Sequence, residues 1–106
     1  MRRGDVFRLR LRKGLGHELH GIRFGVVVQS DVLRRLSTVL VAPTSTSARA
    51  ASFRPEMTVA GQSSRVLVEQ TGAVDVTRLG DLAGHLPPEE LWGVDLALTT
   101  VFDLHR

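Results

Sequence analysis

The first apolar segment of the chain alternates strictly between apolar and arginine side chains. Its apolar positions are Phe7, Leu9 and Leu11, and its basic positions are Arg8, Arg10 and Arg12. A period of two is typical of a β-strand with one buried face, and it does not fit a helix. The chain therefore begins with a strand whose second face is a stripe of three arginines. That stripe fits either the solvated face of an edge strand or a track for a polyanion.

Strand-type runs dominate the rest of the chain. They cover residues 22–29, 38–42, 57–60 and 65–70. Pro43 is expected to stop the strand at 38–42, and the runs 57–60 and 65–70 are expected to form a hairpin. Short helical turns are expected near residues 30–35 and 75–80. One long helix opens at Pro87 and Pro88, with Leu91, Val94, Leu98 and Val101 on one face. Trp92, beside this apolar face, is expected to pack in the core or at a dimer contact. The pattern predicts a mainly β fold with a C-terminal helix.

The length of 106 residues fits one hydrophobic core, so we expect a single domain over residues 1–106. The chain has no cysteine, which excludes disulfides, thiolate zinc sites and thiol nucleophiles. No apolar run approaches the ~18 residues of a membrane span. We therefore expect a cytoplasmic protein without membrane contact.

The charge of the chain is divided unequally along its length. Residues 1–65 hold twelve Lys or Arg against four Asp or Glu, a balance of +8, whereas residues 66–106 hold two Arg against seven acids, a balance of −5. So basic a first half within one domain indicates an anionic partner, of which nucleic acid is the commonest.

The order of these pieces resembles the MazF/PemK family of toxin endoribonucleases over nearly the whole chain. The matching segments are residues 3–6, 16–18, 21–23, 26–31, 38–43 with the Thr/Ser segment after them, 66–70, 74–75, 78–80, 94–95 and 97–98. Three places depart from the family pattern. Phe24 stands where proline usually follows the catalytic arginine, Thr71 and Gly72 replace Ile-Arg, and arginines replace acidic and aromatic residues along the first strand.

The resemblance implies a small SH3-like β-barrel with a C-terminal helix that works as a homodimer. It implies cleavage of single-stranded RNA at a short sequence, without a metal or cofactor, and neutralisation by a cognate antitoxin whose acidic C-terminal segment covers the RNA groove. By the same resemblance the catalytic arginine is Arg23, the catalytic hydroxyl belongs to Ser45, and the loop acid is Glu18.

The residue types fit this chemistry because RNA carries its own nucleophile, the 2′-OH. A metal-free ribonuclease needs proton transfer and positive charge at the phosphorane but no nucleophilic side chain. The planar guanidinium of Arg23 can neutralise phosphoryl oxygens, and Ser45 can donate a hydrogen bond to one. Thr44 or Thr46 could supply that hydroxyl instead. Glu18 is expected to orient Arg23 or to hold its loop.

Further RNA contacts are expected around this centre. His17 and His20 could transfer protons near neutral pH or be solvated bystanders, and Phe53 could stack on a base or anchor its loop to the core. Gln70, in the matched segment 66–70, completes the expected RNA contacts. Two rival functions stay open: a gyrase-poisoning toxin of the CcdB type, and a catalytically weak homologue that only binds RNA or an antitoxin.

Overall fold

The strand-type runs form one curled antiparallel sheet. The computed structural model describes residues 1–11 and 21–104, without the side chains of residues 10, 11 and 22. The elements in chain order are β1 (Asp5–Leu11), β2 (Gly21–Val27), β3 (Thr38–Ser45), β4 (Glu56–Val59), β5 (Gln62–Val66), β6 (Gly72–Asp75), β7 (Leu79–His85) and α1 (Pro88–Val101). The strand order is β4-β5-β3-β2-β1-β7, and β6 also pairs with β3. The expected mainly β barrel with a C-terminal helix is confirmed as a curled half-barrel and one helix.

Strand β3 organises the sheet because it changes partners along its length. Its first half pairs with β6, Val41–Pro43 pairs with β2, and Thr44 and Ser45 pair with β5. The expectation that Pro43 stops this strand was wrong. Proline has no N–H to donate, but the carbonyl of Pro43 accepts a hydrogen bond from the amide of Leu67 at 2.8 Å. Thr44 and Ser45 are consequently buried strand residues, although the strand was expected to stop before them.

Strand β1 lies between β2 and β7, so the interpretation of its arginine stripe as the face of an edge strand was wrong. Both faces of this strand are covered at its start. Val6 belongs to the larger core cluster, which includes Val26, Met57 and Val94, whereas Leu9 packs with Val27, Val39 and Val41 in a second cluster. Arg8 therefore leaves the sheet on the same face as Val6, where its side chain is exposed.

The β4–β5 hairpin turns two residues earlier than the sequence indicated. Ala60 and Gly61 have φ angles of 52° and 74°, which suits a two-residue hairpin turn. The second strand is therefore β5, and Val68–Gln70 forms a 3₁₀ turn. Strands β6 and β7 were not predicted. The turn expected at residues 30–35 is present as Asp31–Leu33, capped by the hydroxyl of Ser30.

Helix α1 begins at Pro88, with Glu89 and Glu90 in its first turn, and buries Val94 and Ala97. The Arg3 guanidinium joins this helix to the sheet: it bonds the Asp95 carboxylate at 2.7 Å and the carbonyl of Val28 at 2.8 Å. Trp92 is 62% exposed, so the core alternative was wrong for it, and the dimer contact stays a prediction. Within the described ranges no helix is both long and apolar enough to cross a membrane.

Candidate functional site

A pocket opens where β3 leaves β2 to pair with β5. Its volume is about 130 Å³, and it is lined by Arg23, Phe24, Thr44, Ser45, Thr46, Gln62 and Ser64. Four of these residues are among those singled out from the sequence: Arg23, Ser45, Thr44 and Thr46. The structure thus gathers the predicted arginine and all three candidate hydroxyls around one cavity.

The β2–β3 pairing ends just before the candidate hydroxyls. Its last pair is Gly25 with Pro43, and from Thr44 onward β3 pairs with β5. Because side chains alternate along each strand, Arg23 lies on the same face as Gly25, and Ser45 lies on the same face as Pro43. The alternation favours Ser45 over Thr44 as the hydroxyl near Arg23, and this choice stays a prediction.

The guanidinium of Arg23 is available to a ligand. Its side chain is exposed, and none of the described residues forms an ion pair or hydrogen bond with it. A guanidinium carries five N–H donors in a planar fork that matches phosphate geometry. Held near the start of β2, Arg23 can therefore receive a phosphodiester.

The hydroxyl of Ser45 is largely buried and locally oriented. Its oxygen accepts a hydrogen bond from the amide of Ser47 at 3.2 Å and lies 3.4 Å from the Ser47 hydroxyl. No His, Asp or Glu in the described part of the chain bonds it, so nothing there raises its basicity. This environment suits a hydrogen-bond donor to a phosphoryl oxygen better than a base.

Phe24 and two hydroxyls form the inner side of the pocket. Thr44 is 3% exposed and Ser64 is 5% exposed. The guanidinium of Arg8 lies over the Phe24 ring, 5.6 Å from its centroid. Arg8 thus contacts a residue of the pocket without lining it, whereas the side chain of Arg10 is not described and Arg12 lies outside the described residues.

A charged network holds the segment after β3. Arg54 binds the same carboxylate oxygen of Glu69 through Nε at 2.8 Å and through a terminal nitrogen at 2.6 Å, and it also donates to the carbonyl of Arg49. Arg65 donates to the carbonyl of Arg54 and to the carboxylate of Glu56. The second oxygen of Glu69 is buried without a hydrogen-bond partner in the described part of the chain. The network fixes the chain between Ser45 and β4.

Phe53 and Gln70 lie away from the pocket lining. Phe53 packs against the larger core cluster, with Arg54 5.5 Å from its ring centroid, which favours the anchoring alternative for this residue. Gln70 ends the 3₁₀ turn, where its amide donates to the carbonyl of Leu67. RNA contact by these two residues stays a prediction. Glu18, His17 and His20 lie outside the described residues.

The sequence missed Phe24, Gln62 and Ser64 as pocket residues. Phe24 was noted only as a departure from a family pattern, and Gln62 and Ser64 fell in an expected turn. Pairing between β5 and the end of β3 brings Gln62 and Ser64 to the site, and no periodicity in the sequence predicts that pairing. The nearest signal is the two-residue turn at Ala60 and Gly61, which sets where β5 begins.

Titratable side chains are scattered outside this pocket. Among residues 1–11 and 21–104, no three His, Cys, Asp or Glu side chains group as metal ligands. Asp5, which is 6% exposed, pairs with the Nδ1 of His85 at 2.9 Å and accepts from the amide of Arg2. The Thr77 amide and hydroxyl bind the carboxylate of Asp75 and lower its pKa. These groups serve the fold at the N-terminus and at the 3₁₀ turn Val76–Arg78.

Comparison with known proteins gives a consistent result. Residues 2–102 match the family model described as PemK-like, MazF-like toxin of type II toxin-antitoxin system. The chain is 36% identical over 104 residues to the candidate toxin Rv3098A of Mycobacterium tuberculosis, covering 96% of this chain and 97% of that one. It is 31% identical over 105 residues to the endoribonuclease EndoA of Bacillus subtilis, covering 92% and 90%.

A solved structure extends the likeness to the fold. An endoribonuclease from a mycobacterial species, in complex with its cognate antitoxin, superposes with a TM-score of 0.82 at 21% identity, covering 100% of this chain and 98% of that one.

Proposed function

Because the chain belongs to the PemK-like, MazF-like toxins of type II toxin-antitoxin systems, we propose that it is a metal-independent endoribonuclease that cleaves single-stranded RNA at a short sequence. Its relative EndoA is named an endoribonuclease. The pocket between β2, β3 and β5 is the proposed catalytic centre, with Arg23 and Ser45 as its central residues.

In the proposed reaction the 2′-oxygen of the RNA attacks the adjacent phosphorus as its proton leaves. The bond from phosphorus to the 5′-oxygen breaks, and that oxygen takes up a proton. The products are a 2′,3′-cyclic phosphate and a 5′-OH. Arg23 neutralises the phosphoryl oxygens as negative charge accumulates, and the Ser45 hydroxyl donates to one of them. Glu18 remains our proposed residue for orienting Arg23.

One observation carries this proposal: an arginine without a protein partner among the described residues lines the same pocket as a buried, oriented hydroxyl. Arginine side chains that serve only the fold are usually paired, as Arg3 and Arg54 are here. An unpaired guanidinium beside a hydroxyl donor suits a phosphodiester, whose anionic oxygens accept from both.

The biological setting of the proposed activity follows from the family and from charge. We propose that cleavage inhibits translation, with mRNA as the first candidate target and rRNA or tRNA as others, and that the protein acts as a cytoplasmic, single-domain homodimer. A cognate antitoxin with an acidic C-terminal segment would cover the RNA groove. A structural neighbour was solved with its cognate antitoxin, and the +8 balance of residues 1–65 suits an acidic peptide.

The experiment is cleavage of a single-stranded RNA by the purified chain in excess EDTA, with analysis of the new ends. We expect undiminished cleavage with cyclic-phosphate and 5′-OH ends. Complete loss on chelation, restored by Mg²⁺ or Mn²⁺, would contradict the mechanism. RNA binding without cleavage would instead support the catalytically weak homologue, and trapping of gyrase on DNA without either would support the gyrase-poisoning rival.

A further inference from the structure

The inner side of the pocket holds chemistry that the proposed phosphoryl transfer does not use. Arg23 and Ser45 suffice to contact the phosphate, whereas Phe24, Thr44 and Ser64 line the same cavity from the opposite strand faces. The Phe24 ring packs against the larger core cluster, which holds it in place, and it shares the pocket with the hydroxyl groups of Thr44 and Ser64. A flat ring beside two hydroxyl groups suits a ligand with a π-face and a hydrogen-bonding edge. A nucleobase has both.

We propose that Phe24 is the stacking platform for one unpaired nucleobase next to the scissile phosphate, and that it sets base preference at that position. This inference rests on the proposed RNA cleavage. The base would stack on the Phe24 ring while the hydroxyls of Thr44 and Ser64 bond its edge.

The volume of the pocket limits what it can take. About 130 Å³ is well below the ~300 Å³ from which clefts hold drug-sized ligands. One ring system fits this space, and a folded RNA element does not. Since the phosphate would sit at Arg23, the residue adjacent to Phe24 in β2, only a base of a nucleotide flanking the cleaved bond can reach the ring.

Arg8 complements the platform. Its guanidinium lies over the Phe24 ring at 5.6 Å from the centroid, and its exposed side chain has no ion-pair partner in the described part of the chain. A guanidinium plane is itself a surface on which RNA bases stack. Arg8 can therefore move off the Phe24 ring when a base stacks there. Its guanidinium can then stack on the other face of that base.

The test is a thermodynamic cycle between the protein and the RNA. The RNA carries a single 2′-deoxy nucleotide at the cleavage site, which prevents attack, and either a normal or an abasic nucleotide at each flanking position in turn. Affinity is measured for the wild type, Phe24→Leu and Phe24→Tyr. We expect the wild type to lose about tenfold in affinity at one abasic position, which is within the range of single base–aromatic stacks.

Phe24→Leu should bind the RNA without an abasic nucleotide about tenfold more weakly than the wild type does. An abasic nucleotide at the critical position should lower the affinity of Phe24→Leu by less than about a further twofold, because the aromatic partner of the base is already gone. Phe24→Tyr keeps a ring and should behave as the wild type does. With cleavable RNA, Phe24→Leu should also lose its base preference at that position.

The matched control is Phe7→Leu. Phe7 is half-buried in the adjacent strand but packs against the second core cluster, on the opposite face of the sheet. Phe7→Leu should lose as much affinity at the abasic position as the wild type does, even if its folding stability falls. Suppose that the wild type cleaves RNA but that the loss of affinity from Phe24→Leu multiplies with the loss from an abasic nucleotide at both flanking positions. That result would overturn the proposed role of Phe24 and leave the proposed function standing. A wild type that does not cleave RNA would overturn the proposed function and this inference with it.

Discussion

Arg23 in β2 and Arg54 in the segment before β4 have different surroundings. Arg54 bonds the carboxylate of Glu69 twice and the carbonyl of Arg49 once. Arg23 is exposed at the pocket, and no described residue forms an ion pair with it. The two residues are of the same type, so the difference lies in the partners that surround each of them.

Arg54 therefore serves the fold, whereas Arg23, which lines the pocket without a described partner, is available to a ligand. A paired arginine satisfies backbone and carboxylate groups that would otherwise be buried without partners. An unpaired one contributes little to stability, and its five donors remain for an anion. Removing the two side chains should therefore have different effects: lost activity at Arg23 and lost stability at Arg54.

The largest expected effect is on the rate of Arg23→Ala. Cleavage should fall by about 10³-fold or more, because a charge that acts on the transition state is lost. The free energy of unfolding should change by less than about 0.5 kcal/mol, since the side chain is exposed and unpaired in the described structure. Single-turnover cleavage and urea unfolding measure the two quantities. A destabilised Arg23→Ala would mean that this arginine also serves the fold.

Ser45→Ala comes next, with an expected loss of about 10²-fold in cleavage, as for the removal of one oxyanion donor. Ser45→Thr should keep its activity because the hydroxyl is retained. Thr44→Ala and Thr46→Ala are the matched variants, since each removes a hydroxyl from the same pocket. Wild-type rates in Ser45→Ala together with an inactive Thr44→Ala or Thr46→Ala would place the hydroxyl at a neighbouring residue.

Arg54→Ala should act mainly on stability, by about 1–3 kcal/mol. Without Arg54, the carboxylate of Glu69 loses its ion-pair partner, although the Glu69 side chain is only about a quarter exposed. One oxygen of this carboxylate is already buried without a described partner. Removing Glu69 as well should cost less than the two single effects added together, because the double variant leaves no unpaired charge. Denaturant unfolding of Arg54→Ala, Glu69→Ala and the double variant measures the coupling. Additive effects would show that this ion pair does not hold the loop.

The sequence predicted the parts of the fold that have a local signal. The alternation around Leu9, the β-branched run of β2 and the helix start at Pro88 each correspond to an observed element. It failed where tertiary pairing decided the structure. Pro43 is a turn signal in isolation, yet β3 runs through it because β2 holds it on one side and Leu67 binds its carbonyl. Short strands such as β6 carry no period long enough to recognise.

The candidate site was partly predictable for the same reason. Arg23 and Ser45 could be named from a resemblance, and both line the same pocket. Phe24 and Ser64 could not be placed, because their meeting depends on β3 exchanging β2 for β5. The arginine stripe was recognised as a pattern, but its environment was not: Arg8 lies over an aromatic ring of a central strand pair.

The central claim is that Arg23 and Ser45 act together on one phosphate, and a double variant tests it most directly. Values of kcat/KM are measured in EDTA for the wild type, Arg23→Ala, Ser45→Ala and the double variant. Groups that act as a unit are not additive, so the double variant should be about as slow as Arg23→Ala alone, near 10³-fold below the wild type. Losses that multiply to about 10⁵-fold would show that the two residues act independently, and would contradict the account.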